Sequence, residues 1–116
     1  MRSKFVVVSQ QGPSWVAGRA MRDQLDWAAH AAWVNDLASR GVIVLAGPLR
    51  GRSVHRAMLI VHSESEEALR AQLITDPWMR SGVLRIESIE PWEVLAWYDA
   101  LGPVLDTLEV TSPTAR

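Results

Sequence analysis

The sequence contains no cysteine. Disulfides, zinc thiolates, iron–sulfur clusters and thiol nucleophiles are therefore outside its repertoire. Phenylalanine and tyrosine are scarce, with one of each. Neither sign of charge is in excess: 12 Lys and Arg stand against 13 Asp and Glu, for a net charge of −1. That balance invites neither a nucleic acid nor an anionic membrane surface. No run approaches the ~18 apolar residues that read as a membrane span. The apolar start Phe5–Val8 stops at Ser9, Gln10, Gln11 and Gly12, too early for the core of a secretory signal. A cytoplasmic location is the expectation. Gly47-Pro48-Leu49-Arg50-Gly51 lacks both the Lys-Ser/Thr ending and the strand–loop–helix context of a phosphate loop. No serine sits in a Gly-x-Ser-x-Gly elbow. Three histidines without a cysteine make a poor metal set. His55 and His62, seven apart on one expected strand, fall on opposite pleat faces and cannot share an ion. No cofactor and no metal are expected.

What is present fits one domain. The chain has 116 residues, 48% of them hydrophobic, enough for one core without covalent staples. Tryptophan is abundant, with six copies. Indoles suit cores, interfaces and ligand pockets, and core filling accounts for most of them on general grounds.

Hydrophobic periodicity sets the expected elements. Phe5–Ser9 reads as a strand. Gln10–Met21, with Gly12, Pro13 and Gly18, reads as a long loop and a natural pocket wall. Arg22–Arg40 reads as a helix of ~27 Å. Its inward face carries Asp26, Trp27, His30, Trp33, Val34 and Leu37, and Gly41 terminates it. Val42–Ala46 reads as a strand stopped by Gly47-Pro48. Leu49–Ser53 reads as a hairpin loop. Val54–His62 reads as a strand whose apolar run Ala57–Val61 suggests cover on both faces. A second helix opens at Ser63, where Ser63 with Glu66 fits a capping box and Ser65 is the rival cap. It ends near Thr75, because Pro77 biases Asp76 away from helical geometry. Trp78–Gly82 reads as a turn and Val83–Val94 as a fourth strand. Ala96–Leu108 is apolar enough to pack, and Thr111–Arg116 reads as a tail. The order is β-α-β-β-α-β, an α+β ferredoxin-like antiparallel four-stranded sheet with two helices on one face. The uncovered face points to a homodimer.

The pieces that distinguish this chain are His30 with Trp33; Gly41-Val42-Ile43-Val44-Leu45-Ala46-Gly47-Pro48-Leu49; Ser65-Glu66-Glu67-Ala68; Asp76-Pro77-Trp78; Ser81-Gly82-Val83; and Ile89-Glu90-Pro91-Trp92. In this order they resemble the YCII-related domain family over roughly residues 4 to 93. The resemblance implies a ferredoxin-like domain over 1–95 that pairs into a dimeric α+β barrel, with 96–116 as an extension able to pack on the partner subunit. It also implies a pocket holding a His from the first helix and an Asp from the end of the second, by position His30 and Asp76. Some relatives are dehydrochlorinases acting on chlorinated hydroxyquinols, and muconolactone isomerase has a similar fold. The Gln10–Met21 connection and the extension depart most from the family pattern.

Residue chemistry points the same way. Imidazole titrates near neutral pH, so His30 can take and give a proton at working pH, provided a carboxylate fixes its tautomer. Asp76 is the candidate partner, and Asp26, one turn before His30, is the alternative. Asp36 lies about 120° round the helix and faces solvent. The bland readings are a satisfied core histidine and an Asp-Pro turn cap. Trp27, Trp33 and Trp78 are candidate ligand-binding residues. Met79 reads as core. Among the loop arginines Arg19, Arg50 and Arg52, Arg50 is the candidate for a substrate carboxylate, with solvated surface as the alternative. The expected function is cofactor-free His/Asp acid–base elimination or isomerisation of a small cyclic or aromatic acid or enol. The alternative is a non-catalytic small-molecule binder or self-association module.

Overall fold

A computed structural model describes residues 3–51 and 53–105. Strand β1 is Ser3–Gln11, followed by a 3₁₀ turn at Met21–Asp23 and helix α1 at Trp27–Ser39. Strands β2 (Ile43–Leu49) and β3 (Arg56–Ser63) follow as an antiparallel hairpin. Helices α2 (Glu66–Leu73) and α3 (Pro77–Ser81) lead into β4 (Leu84–Pro91). A 3₁₀ turn at Asp99–Leu101 and helix α4 (Gly102–Leu105) follow. The Thr111–Arg116 tail lies outside the described residues. All strand pairs are antiparallel, in the order β2-β3-β1-β4. That order makes β1 and β3 central, as the ferredoxin-like reading requires.

The main core lies between one sheet face and two helices. Phe5 and Val7 of β1 and Val61 of β3 pack against Leu37 of α1 and Leu69 and Leu73 of α2. Each such side chain contributes roughly 2 kcal/mol on burial, more than the ~1 kcal/mol of a typical helix cap. A second cluster of Trp78, Val83 and Leu84 gathers Trp15, Trp27 and Met79 around it. Met79 is therefore partly in the core, as expected. The opposite sheet face is open in a single chain, with Leu45 65% and Met58 36% exposed.

Several boundaries differ from the sequence reading. Helix α1 starts at Trp27 rather than Arg22 because Asp26 takes a left-handed conformation, φ 61°. Upstream, the buried Gln24 side chain is committed to the loop. Its Oε1 accepts from Val16 N–H, and its amide donates to the carbonyls of Val16 and Arg19. Strand β2 runs through Gly47 and Pro48, which pair with Met58 and Ala57. An edge strand tolerates proline because its missing N–H can face away from the ladder. Ser65 is the cap of α2, accepting from Ala68 N–H at 3.0 Å, while Ser63 donates to Ser65 O. The Trp78–Gly82 turn is part of the short helix α3, capped by Asp76.

Candidate active site

Proline at the first position of α3 and aspartate before it give a helix start in which Asp76 Oδ1 accepts the Trp78 N–H at 2.9 Å. This places the Asp76 carboxylate against α1. His30, in the first turns of α1, approaches it through Nδ1, 2.8 Å from Oδ1 and 3.0 Å from Oδ2. Asp76 is 1% exposed and the His30 side chain 13%. An ionised carboxylate can only accept, so Nδ1–H donates, leaving Nε2 as the atom able to exchange a proton. Burying the carboxylate is costly, and its hydrogen bonds from imidazole and backbone offset that cost. Asp76 thus caps the α3 turn and contacts the His30 imidazole at once.

Indoles fix the ring. His30 stacks on Trp78, with centroids 3.9 Å apart and planes 8° from parallel. Trp78 Nε1 donates to Leu25 O at 2.6 Å, locking the indole to the segment that precedes α1. Trp27 packs on both, 5.8 Å from His30 and 5.5 Å from Trp78. The Arg22 guanidinium lies 5.6 Å from the Trp27 ring centre. Trp15, from the long first loop, meets Trp78 edge-on at 6.0 Å and stacks on His55 at 4.4 Å.

These groups border a cavity of ≈ 320 Å³ that also includes Ser9, Ala57 and Leu59 from the sheet floor. His30, Asp76, Trp27, Trp33 and Trp78 all line it. Trp33 Nε1 donates to Thr75 Oγ1 at 2.8 Å, joining α1 to the end of α2. Arg50 is placed elsewhere. It lines a neighbouring cavity of ≈ 560 Å³ with Arg19 and Arg22, and Met21, Arg22, Pro48 and His55 border both spaces. Asp36 is exposed, as expected, and it pairs with Arg40 one turn on. Asp26 is exposed and offers His30 only its backbone carbonyl. Among the described residues, no group of three or more His, Asp or Glu side chains converges as a metal site would require.

Sequence reasoning missed two polar groups in this cavity. His55 served there only to argue against a metal. Its imidazole pKa is held below the ordinary value of 6.5 by burial and, secondarily, by the charge of His30. Ser9 was read only as the end of a strand. The overlooked signal is the period of two: Ser9 pairs with Ala57, so residue 55 returns to the same face.

The sequence profile of the YCII-related domain family matches residues 3–93. The chain belongs to that family. Among curated protein sequences, none matches it significantly. A similar solved structure is 5-chloro-2-hydroxyhydroquinone dehydrochlorinase from Burkholderia phenoliruptrix AC1100, in complex with 2,5-dihydroxybenzoquinone. It superposes with a TM-score of 0.57 at 20% identity, covering 78% of this chain and 93% of that one. The likeness shows a shared ferredoxin-like α+β fold. Within this YCII-related domain, no described helix is long and apolar enough to cross a membrane.

Proposed function

We propose that this YCII-related protein is a cofactor-free acid–base catalyst of elimination or isomerisation on a small oxygenated ring, with His30 as the proton-transfer group and Asp76 as its orienting partner. The observation that carries the reading is the His30 Nδ1–Asp76 contact of 2.8 Å at the wall of an indole-lined cavity. A positioned imidazole with a carboxylate on its second nitrogen is the arrangement that general base catalysis needs. Nε2 takes a proton from a ring hydroxyl or from a carbon beside a ring carbonyl. In the keto tautomer of the ring, where the carbon carrying the leaving group is saturated, the released electron pair then expels that group as an anion; alternatively the proton returns at another position. Trp27, Trp33 and Trp78 supply flat apolar walls. Engineered cavities of ~150 Å³ hold benzene, so ≈ 320 Å³ suits a single ring with several substituents.

The similar dehydrochlorinase supports the substrate class through its bound ligand, a dihydroxylated quinone. Chloride release from 5-chloro-2-hydroxyhydroquinone by wild type, His30→Gln and Asp76→Asn tests the proposal. Turnover by wild type that collapses in both variants is expected. Binding of 2,5-dihydroxybenzoquinone without any turnover, unchanged by His30→Gln, would instead make the cavity a binding site only.

A homodimer forms part of the same proposal. The open sheet face exposes Leu45 and Met58, and a second copy would cover it. Sedimentation at micromolar concentration should give twice the monomer mass, and a monomer would count against it.

A further inference from the structure

We propose that Ser9 and His55 form a second polar locus on the floor of the same cavity, binding an oxygen substituent of the ligand other than the one that meets His30. This deepens the proposed function, and rests on it for the nature of the ring. Ser9 is 1% exposed, and its Oγ has no hydrogen-bond partner. His55 Nε2 is likewise shielded from solvent and unpartnered. Both residues line the ≈ 320 Å³ cavity. Buried polar atoms are normally satisfied, so two unsatisfied ones on residues that line one cavity point to a guest that satisfies them.

The backbone holds the two side chains together. Ser9 pairs with Ala57 across the β1–β3 ladder. Gln11 N–H donates to His55 O at 2.9 Å and His55 N–H to Gln11 Oε1 at 3.0 Å, so the ladder continues past the strand end. Ser9, Ala57 and His55 therefore share one pleat face. The β1–β4 register shifts between Val8 and Ser9, which puts Ser9 beside a bulge, a common place for a re-aimed side chain. Stacking on Trp15, with planes 14° from parallel, fixes the plane of His55.

Chemistry narrows the guest. A serine hydroxyl donates and accepts, and so does a neutral imidazole. The lowered pKa of His55 keeps its ring neutral near pH 7. The pair therefore suits a hydroxyl or carbonyl oxygen and offers no charge to a carboxylate. The substrate class becomes a ring with oxygen at two separate positions, such as a hydroxyhydroquinone or hydroxyquinone, over a simple phenol.

The test titrates wild type, Ser9→Ala, His55→Phe and His30→Gln with 2,5-dihydroxybenzoquinone and with phenol, by calorimetry. His55→Phe keeps a ring on Trp15 and removes the nitrogens. Ser9→Ala and His55→Phe should each weaken the dihydroxyquinone by up to about tenfold, the worth of one hydrogen bond, and leave phenol unchanged. His30→Gln should weaken both probes. If His30→Gln weakens the dihydroxyquinone while Ser9→Ala and His55→Phe bind like wild type, the second locus is wrong and the His30 reading stands. If wild type binds neither probe, both fall. Should His55→Phe fail to fold, Ser9→Ala and the nitrogen-15 resonance of wild-type His55 decide: a resonance unmoved by the dihydroxyquinone, with Ser9→Ala unimpaired, overturns the proposal.

Discussion

The imidazole of His30 lies flat on the indole of Trp78, and one carboxylate, that of Asp76, holds both His30 Nδ1 and the Trp78 backbone N–H. Imidazole, indole and carboxylate thus come as one block, spanning the start of α1 and the start of α3. Each part of the block fails differently when altered.

His30→Gln removes the titratable group and leaves a side chain that can still bond Asp76. Turnover should fall by a factor of about 10² or more, the usual worth of a general base. The unfolding midpoint should move little, because His30 is a wall rather than a core residue. Steady-state kinetics beside a thermal melt check both halves. A variant as active as wild type would remove His30 from the chemistry.

Two substitutions at Asp76 separate its tasks. Asparagine can still accept from Trp78 N–H but carries no charge, so kcat should drop while the fold stays near wild type. Alanine also loses the cap and should cost about 1 kcal/mol more than asparagine in urea unfolding. Equal stability of the two variants would show that the cap contributes nothing.

His55 gives the protein an acid-sensitive component. Its folded-state pKa is lowered, so the unfolded chain binds the proton more readily. Its contribution to stability is therefore complete above the ordinary value of 6.5 and is lost as pH falls below it, through the folded value. The stability difference between wild type and His55→Phe, measured by urea unfolding, should shift against wild type on going from pH 7.5 to 5. A difference that does not change with pH would contradict this.

Gly12→Ala should destabilise by about 2 kcal/mol, the scale of an overpacked core. Gly12 N–H donates to Val83 O, and an added Cβ there would collide with the Gly82 carbonyl. Gly47→Ala, with open space around the position, is the control. Its chemical denaturation curve should overlay wild type more closely.

The layout was legible because period and punctuation agree: β-branched runs for the strands, an apolar stripe around Leu37, a serine at the start of α2. Boundaries failed where tertiary contacts overrule local preference. Asp26 looked like part of the inward helical face, yet it takes a left-handed conformation just after the buried Gln24 side chain ties the chain to Val16 and Arg19. Pro48 looked like a stop, yet an edge position absorbs it. His30 and Asp76 were found as a pair because α1 and α2 lie side by side in this topology and the family pattern names both positions. Arg50 borders the adjoining space rather than the indole-lined one, and nothing in a sequence tells which of two hollows a loop arginine meets. Ser9 and His55 stayed hidden because their meaning lies in what they fail to bond, a property of coordinates alone.

The doubled duty of Asp76 has an evolutionary side. A lineage with no use for the proposed proton transfer could exchange His30 for another donor to the buried carboxylate, whereas losing the carboxylate would strip the Trp78 N–H of its acceptor as well. Wherever the proposed proton transfer is dispensable, drift should therefore change the histidine before the aspartate.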